Sequence, residues 1–391
     1  MSRVFGAADP MLNAAVASSA ISQDGGVAIS SLLAPRPRSP MPAGAMDEGG
    51  NPAIEWVEPE ESFWLVSARN FGLTLATFGI YHFWGRAEAR RRVVNSIRLG
   101  GKPLDYSGTG LDGFLSFLVG AAVAVSIVAA FLLLFSSSGG AGVEAIQEFR
   151  WRRLTISVPL LFLLGSVVYR KRQHLLRRTW WHGERFDLSG QAWGYAWQHF
   201  WSAFLVPLTL GWAGPWRANR LERRKIAEMH HGQHCFRFEA DTKALYRAFA
   251  LLWFGGGLMY VATMALIGLA IGPQVLAALQ TLSIEPLSDY DVLRWAAVVL
   301  AIGLTPVIAL AMYYRAVWIE HLIGGLRFEQ ARFRAEIPKL RFVGLMLGNV
   351  ALKVLSLGAL TPVVDARLAR FVIAHIRVEG ALPEPSPAAT A

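Results

Sequence analysis

The stretch LATFGIYHFWGRAEARRR at residues 75–92 decides the fold, because it occurs twice more, in altered form, further along the chain. PLTLGWAGPWRANRLERR at 207–224 aligns with it without gaps at an offset of 132 residues, and LSLGALTPVVDARLARFVIAHIRVEG at 355–380 is a third, shorter copy. Each copy has an apolar stretch, a turn with glycine, a basic segment and a short strand-like segment. Such recurrence indicates tandem repeats.

The composition is that of a membrane protein. Of 391 residues, 53% are hydrophobic and only 17% are charged, and the net charge is +10. A bilayer solvates that much apolar surface directly, whereas a soluble domain would have to bury it. The single cysteine, Cys235, excludes an intramolecular disulfide. The basic residues lie beside apolar stretches and no RNA-binding motif is present, so the expected partners are anionic membrane lipids and not nucleic acid.

Seven apolar stretches are long enough to matter, since about 20 helical residues cross the ~30 Å hydrocarbon core. They lie at roughly 63–82, 113–135, 154–169, 197–214, 247–271, 293–314 and 341–361. Three of them, 63–82, 197–214 and 341–361, have basic segments on both sides. Because basic segments stay in the cytoplasm, these stretches are predicted to be re-entrant; if they cross fully, the positive-inside rule fails at all three. The acidic segments 136–149 and 272–292 are then outer loops, and both termini are cytoplasmic.

The sequence therefore predicts an all-α polytopic protein of the bacterial inner (plasma) membrane. Its expected organisation is a set of tandem parallel repeats of helical units with short strand-like cytoplasmic segments. The predicted parts are a disordered tail at 1–60, a first repeat unit at 61–196, a second at 197–340, a truncated third at 341–380 and a disordered tail at 381–391.

Three motifs carry a resemblance to a known family. The turn TFGIYHFWGRAEARRR, the segment GGKPLDYSGTG and the motif GGLRF, which aligns with HGERF when Gly325 is placed over Gly183, together resemble the YjgN-type family of bacterial inner-membrane proteins. The resemblance covers roughly 60–380 and implies a membrane location and fold. The function of that family is uncharacterised, so the resemblance implies no activity. The third copy of the turn departs from the pattern, because Val363 stands where the other copies have tryptophan.

Residues at the turns and inside the re-entrant stretches are candidates for lining a cavity or anchoring the protein. Glycine permits the positive φ that ends a helix, and tryptophan prefers the membrane interface. Polar groups at membrane depth are costly and often functional, although in interfacial stretches they would only reach out to water. The candidates are Arg69, Asn70, Gly79, Trp84, Gly211, Trp216, Asn349, Lys353 and Gly358.

GTGLDG at 108–113 has the glycine spacing of a dinucleotide-binding loop. That fold needs a soluble βαβ unit, and here an apolar stretch follows instead. The segment is therefore interpreted as a flexible turn whose free amides, at a helix N-terminus, would hold a lipid phosphate. Candidate lipid-phosphate contacts are Arg90, Arg91, Arg92, Gly108 and Gly110.

HHGQHC at 230–235 contains residue types that bind zinc, but structural zinc sites draw two ligand pairs from separated segments. A solvated loop is predicted there, with no metal and no other cofactor. The serine-hydrolase GxSxG, the HExxH and the Walker patterns are absent, so no enzymatic activity is expected.

Two functions remain open. The first is permeation or transport of a small anionic solute through a polar cavity lined by the re-entrant stretches. The second is a lipid-binding or envelope-scaffold role without transport, in which the basic helices lie on the cytoplasmic leaflet. A bound soluble metabolite would favour the first, and a bound anionic lipid would favour the second.

Overall fold

The computed structural model describes residues 53–118, 120, 121, 125, 143–281 and 290–383. These residues form two compact units. The first contains the described residues up to Glu239, together with Ile323–Ala335 and those from Ala351 onward. The second contains Ala240–Leu322 and Glu336–Val350.

Helices and short strands alternate along the chain. The helices are α1 Phe63–Ala76, α2 His82–Asn95, α3 Val143–Arg177, α4 Ala192–Leu208, α5 Gly214–Ala227, α6 Lys243–Ala250, α7 Gly256–Thr281, α8 Tyr290–Gly324, α9 Lys339–Leu355 and α10 Thr361–Ile373. The strands are β1 Ile54–Trp56, β2 Ile97–Leu99, β3 Lys102–Pro103, β4 Asp105–Tyr106, β5 Thr179–Trp181, β6 Glu184–Leu188, β7 Met229–His231, β8 His234–Phe238, β9 Leu326–Phe328, β10 Ala331–Ala335 and β11 Ile376–Glu379. A π-helical turn, Leu251–Gly255, joins α6 to α7, and a further helix begins at Gly110.

The strands form two antiparallel sheets, which makes the prediction of an all-α polytopic fold wrong. One sheet has the order β1-β2-β3, and the other has eight strands in the order β11-β10-β9-β8-β7-β6-β5-β4. The sequence showed the strand-like segments but not their pairing. Strands of two to five residues are stabilised by lateral hydrogen bonds to distant segments, and a local sequence pattern does not reveal such pairing.

One face of the eight-stranded sheet is buried and rich in aromatic residues. Side chains alternate between the faces, as strand geometry requires. At the centre of the buried face, the rings of Phe236 and Phe328 stack with their centroids 4.1 Å apart. The helices α2, α3 and α5 pack against strands of this sheet. Other buried side chains on this face include Trp181, Phe186, Leu188, His231, Phe238, Phe333 and Val378.

The C-terminal part of the first unit packs against its N-terminal part. Helix α10 contacts α1, and their shared core contains Phe63, Val93, Val363 and Ala366. This packing accounts for Val363, because a tryptophan at that position would overfill the cluster.

Two helical segments are long and apolar enough to cross a membrane, Lys243–Leu269 and Ala297–Gly324. They correspond to two of the four full crossings predicted from the sequence. Of the other two, 113–135 lies largely outside the described residues, and 154–169 lies in α3, which does not meet the same criterion. The structure therefore supports two helices that could span a membrane, and it supports neither the predicted multi-pass topology nor the cytoplasmic location of the termini. Parts of the predicted outer loops, 143–149 and 272–281, are helical.

Candidate functional site: three helical hairpins

Three pairs of helices form hairpins with the same turn. We name them hairpin one (α1 and α2), hairpin two (α4 and α5) and hairpin three (α9 and α10). In each turn, a bulky apolar residue in the left-handed region precedes a glycine. The φ values are 50° and 91° at Phe78–Gly79, 49° and 95° at Leu210–Gly211, and 50° and 86° at Leu357–Gly358. The three glycines singled out in the sequence thus lie where the chain reverses, and the bulky residue before each adopts a conformation that such residues rarely take.

A hydroxyl side chain just before each turn links the two helices. The Thr77 hydroxyl donates to the Leu73 carbonyl (2.7 Å) and accepts from the Tyr81 N–H (2.9 Å). The corresponding distances are 2.7 and 2.9 Å at Thr209 and 2.6 and 3.2 Å at Ser356. The sequence reasoning missed these three residues, although the pattern Ser/Thr–apolar–Gly is present in every copy.

The hairpin tips expose large apolar side chains. Phe78, Leu210 and Leu357 are 98%, 75% and 90% exposed. Contiguous exposed apolar surface on a protein marks a site of interaction with a partner or a membrane. Helix α1, with 14 residues, is about 21 Å long at 1.5 Å per residue, which is shorter than the ~30 Å hydrocarbon core. Further exposed apolar residues on the hairpins are Trp64, Leu65, Leu75, Ile80, Trp197, Trp201, Phe204, Leu208, Val354 and Leu355.

The interior of hairpin one holds an asparagine against a glycine. Asn70 is buried, and its Nδ2 donates to the Gly85 carbonyl at 3.4 Å. A Cβ at Gly85 would lie 3.1 Å from the Cβ of Asn70, so an alanine there would fit only if Asn70 shifted by a few tenths of an ångström. In hairpin three, both side-chain polar atoms of Asn349 are buried without a hydrogen-bond partner among the described residues.

Hairpin two places a cation at the equivalent position. Arg217 aligns with Gly85, and its guanidinium donates to the Ser202 hydroxyl (3.1 Å) and the His199 carbonyl (3.3 Å). Burial lowers the pKa of Arg217 below its ordinary value, but a guanidinium stays charged at neutral pH. No carboxylate of the described residues forms an ion pair with Arg217, so only neutral acceptors hold its charge.

Two basic residues of the re-entrant stretches, one in hairpin one and one in hairpin three, are paired with carboxylates of the second helix of their hairpin. Arg69 forms a close ion pair with Glu88, which also accepts from Arg92 at 3.0 Å. Lys353 lies 3.4 Å from Asp365. Burial of Glu88 would raise its pKa, but the hydrogen bonds from the two arginines outweigh burial and lower the pKa below its usual range. These pairs tie the two helices of hairpins one and three together.

The two tryptophans of the turn have different neighbours. Trp84 packs on Gly110, where an added Cβ would lie 2.5 Å from the Trp84 ring, and its ring centroid is 5.9 Å from that of Phe114. Trp216 lies beneath Arg220, whose guanidinium carbon is 5.2 Å from the ring centroid. The close contact with Trp84 therefore explains why a residue without a side chain stands at Gly110.

The segment GTGLDG forms a capping box at the start of a helix. The Thr109 N–H donates to the Asp112 carboxylate (3.0 Å), and the Asp112 N–H donates to the Thr109 hydroxyl (3.3 Å). Burial opposes ionisation of Asp112, but the hydrogen bonds that its carboxylate accepts from the Thr109 N–H and hydroxyl, together with the charge of Arg178, outweigh burial and lower the pKa of Asp112. Gly108 packs against the Tyr106 ring, where an added Cβ would collide. The Asp112 carboxylate thus accepts a hydrogen bond from one of the amides that were predicted to hold a lipid phosphate. The lipid contact of Gly108 and Gly110 stays a prediction.

Two of the three consecutive arginines of α2 bind protein groups. Arg91 donates to the Tyr106 carbonyl (3.2 Å) and to the Gly108 carbonyl (3.3 Å), and Arg92 binds Glu88. The guanidinium of Arg90 lies 5.9 Å from the Tyr106 ring centroid. Their contact with lipid phosphate also stays a prediction.

The segment HHGQHC is a β-hairpin and not a solvated loop. It forms parts of β7 and β8, and its buried His231 lies with Nε2 2.9 Å from the Trp181 carbonyl oxygen. Across the described ranges, no group of three or more His, Cys, Asp or Glu is placed to hold a metal ion.

A buried charge cluster between α3 and α5 has no signal in the sequence. Lys225 is 2% exposed, and its Nζ lies 2.6 Å from Glu222. Arg172 lies 3.6 Å from the same carboxylate. Such groups are buried only when they are paired, so the cluster joins the second hairpin to α3.

Two helices with the length and composition of membrane spans, and three exposed apolar tips, are features of a membrane-associated protein. A family model described as bacterial protein of unknown function, DUF898, matches residues 61–384, and the chain belongs to this family. The resemblance to the YjgN-type family is thereby confirmed. No curated protein and no solved structure is significantly similar to the chain.

Proposed function

We propose that this protein binds lipids of the bacterial inner membrane by inserting its three hairpin tips into the cytoplasmic leaflet, and that it serves as a lipid-binding or envelope-scaffold protein. The observation that supports the proposal is the repeated tip, in which a strained backbone holds a large apolar side chain out into the surroundings. This is the second of the two functions that the sequence left open.

The tips are unfavourable in water for two reasons. A bulky residue in the left-handed region costs about 1–2 kcal/mol, and exposure forfeits about 1.5–3 kcal/mol of burial energy for a Phe or Leu side chain. Insertion into hydrocarbon recovers the second amount at each of Phe78, Leu210 and Leu357. Hairpins too short to cross would enter the leaflet and return, so they would remain on the side from which they entered.

Basic residues on the returning helices would then lie at headgroup depth. Arg86, Arg220 and Arg223 are exposed, and each Lys or Arg near an anionic surface contributes about 1 kcal/mol. In this proposal the two candidate spans, Lys243–Leu269 and Ala297–Gly324, cross the membrane and both termini are cytoplasmic.

Native mass spectrometry of the gently purified protein tests the proposal. We expect anionic phospholipid, such as phosphatidylglycerol or cardiolipin, to remain bound in a fixed ratio to the chain. A protein that retains no phospholipid, or that retains a soluble anionic metabolite instead, would contradict the lipid-binding role.

The second candidate function is passage of a small anionic solute, and one observation favours it. Arg217 lies between the helices of hairpin two with only neutral acceptors, so an anion entering that hairpin would find an uncompensated positive charge. Uptake of a radiolabelled anion by vesicles containing the protein tests this function. Equal uptake by vesicles with Arg217→Gln would exclude Arg217 as the solute's partner.

A further inference from the structure

The outer face of the eight-stranded sheet carries a cluster of arginines on four adjacent strands. We call it the arginine face and define it as Arg237, Arg327, Arg332, Arg334 and Arg377. The strand register places Arg237 directly beside Arg327, and Arg327 directly beside Arg332. Arg334 and Arg377 form the next row. Like charges on directly opposed residues destabilise a sheet, so this arrangement has a cost that packing does not explain.

Only part of this charge is neutralised within the chain. Arg327 lies 3.4 Å from Glu239, and Arg334 lies 3.2 Å from Glu379. Arg237 and Arg332 are exposed and form no ion pair with any residue that the structure describes. Glu379 lies opposite Arg332 in the strand register but forms its ion pair with Arg334. Arg237 and Arg332 therefore present positive charge that no ion pair neutralises to an incoming anion.

We propose that the arginine face is a docking surface for an extended, acidic segment of a soluble partner protein. This inference goes beyond lipid binding by the hairpins, because the arginine face is the side of the sheet that the helices do not cover. Arginine suits this role because its planar guanidinium binds a carboxylate with two parallel hydrogen bonds.

The spacing of the face matches an extended peptide. Arg332 and Arg334 lie two residues apart on one face of β10, about 6.8 Å at 3.4 Å per residue. Alternate side chains of an extended peptide repeat at the same distance. Asp or Glu at every second position would therefore meet successive arginines.

The membrane leaflet that receives the tips does not fit this face. Helices α5 and α10 each run from a tip to a strand of the sheet, and the 14 residues of α5 span about 21 Å. The arginine face also lies on the side opposite the buried, helix-covered face. Because charges more than a Debye length of about 8–10 Å apart are screened at physiological salt, lipid headgroups at the level of the tips would not attract the arginine face.

A single-stranded nucleic acid fits less well than an acidic peptide. Sites for single strands combine a basic groove with aromatic side chains on which the bases stack. Between β8 and β11, the outward-facing residues are Cys235, the five arginines and Glu379, and none of them is aromatic.

Fluorescence anisotropy with a labelled peptide of alternating Glu and Ser, added to the full-length protein in detergent, tests the proposal. The variant Arg237→Gln/Arg332→Gln should bind the peptide about tenfold or more weakly, because two charge-assisted contacts are lost. A matched control, Arg185→Gln/Lys102→Gln, removes two exposed cations from strands outside the arginine face and should bind within about twofold of the wild type, because surface charges there act only at long range.

Thermal unfolding of both variants distinguishes lost binding from lost folding. Since the arginines repel one another, the Arg237→Gln/Arg332→Gln variant should unfold at a temperature no lower than the wild type. Equal peptide binding by this variant and the wild type would overturn the proposal. So would displacement of the peptide by a uridine RNA homopolymer whose phosphate concentration is below the carboxylate concentration of the peptide. Displacement by phosphatidylglycerol vesicles at a phosphate concentration below that of the peptide carboxylates would overturn it as well.

Discussion

Hairpins one and two have the same turn but different interiors. Their turn glycines have φ of 91° and 95°, and the apolar residue before each glycine is exposed. Between the helices, Asn70 packs on Gly85 in hairpin one, whereas Arg217 reaches Ser202 in hairpin two. The hairpins therefore share the exposed tip, whereas the residues at the helix crossing differ completely in chemistry. This comparison favours the proposal that the tips bind the membrane and that any solute would meet the interiors.

The largest expected effect comes from charging the tips. The triple variant Phe78→Asp, Leu210→Asp and Leu357→Asp should lose most of its bound phospholipid, because each carboxylate in hydrocarbon costs about 2.5–3.5 kcal/mol. Native mass spectrometry measures the lipid bound per chain.

The matched control is Leu340→Asp, an equally exposed leucine at the other end of α9 from its tip. This variant should retain the phospholipid of the wild type. Equal retention by the triple variant would show that exposure of the tips is unrelated to lipid.

The turn geometry itself gives the next effect. Gly79→Ala should lower stability by about 1–2 kcal/mol, because alanine is strained at positive φ. An added Cβ there meets nothing within 4 Å, so the cost is confined to the backbone. The control Gly344→Ala, in α9 and also in open space, should raise stability by about 0.5–1 kcal/mol. Unfolding midpoints in one detergent compare the two, and an unchanged Gly79→Ala would remove the argument for a strained turn.

The sequence allowed the hairpins to be predicted better than the sheet. The turns recur without gaps between the first two copies, and glycine and proline mark them locally. The sheet depends on pairs such as Phe238 with Leu326, which are far apart in sequence. The alignment of Gly183 with Gly325 is also wrong, because the equivalent turn residues in the structure are His182 and Glu329, both with φ of 51°. Motifs of a few residues leave such shifts undecided.

The interior of hairpin two offers an effect of similar size that tests the contact between its two helices. Arg217→Met should destabilise the protein by about 1.5–3 kcal/mol, since hydrogen bonds from a charged donor are lost. Combining it with Ser202→Ala should give less than the sum of the two losses, because the residues share one contact. Additive losses would show that the contact between Arg217 and Ser202 contributes nothing.

The smallest effect concerns the sheet at the base of hairpin two. Burial lowers the pKa of His231 and outweighs the Trp181 carbonyl and Glu184, which raise it. The unfolded state therefore binds the proton more readily, so the contribution of His231 is complete above about pH 6.5 and is lost as the pH falls below it. His231→Gln should flatten the pH dependence of the unfolding midpoint in this range. An unchanged dependence would place the titrating group elsewhere.

The depth of the tips in a bilayer tests the central claim most directly. Single cysteines at Phe78, Leu210 and Leu357, in a Cys235→Ser background, would carry an environment-sensitive fluorophore in vesicles, with Arg332→Cys on the sheet as the reference position. We expect lipids brominated on their acyl chains to quench the three tip labels and aqueous iodide to leave them bright, with the reverse at Arg332→Cys. Tip labels that iodide quenches and brominated lipid does not would contradict the account.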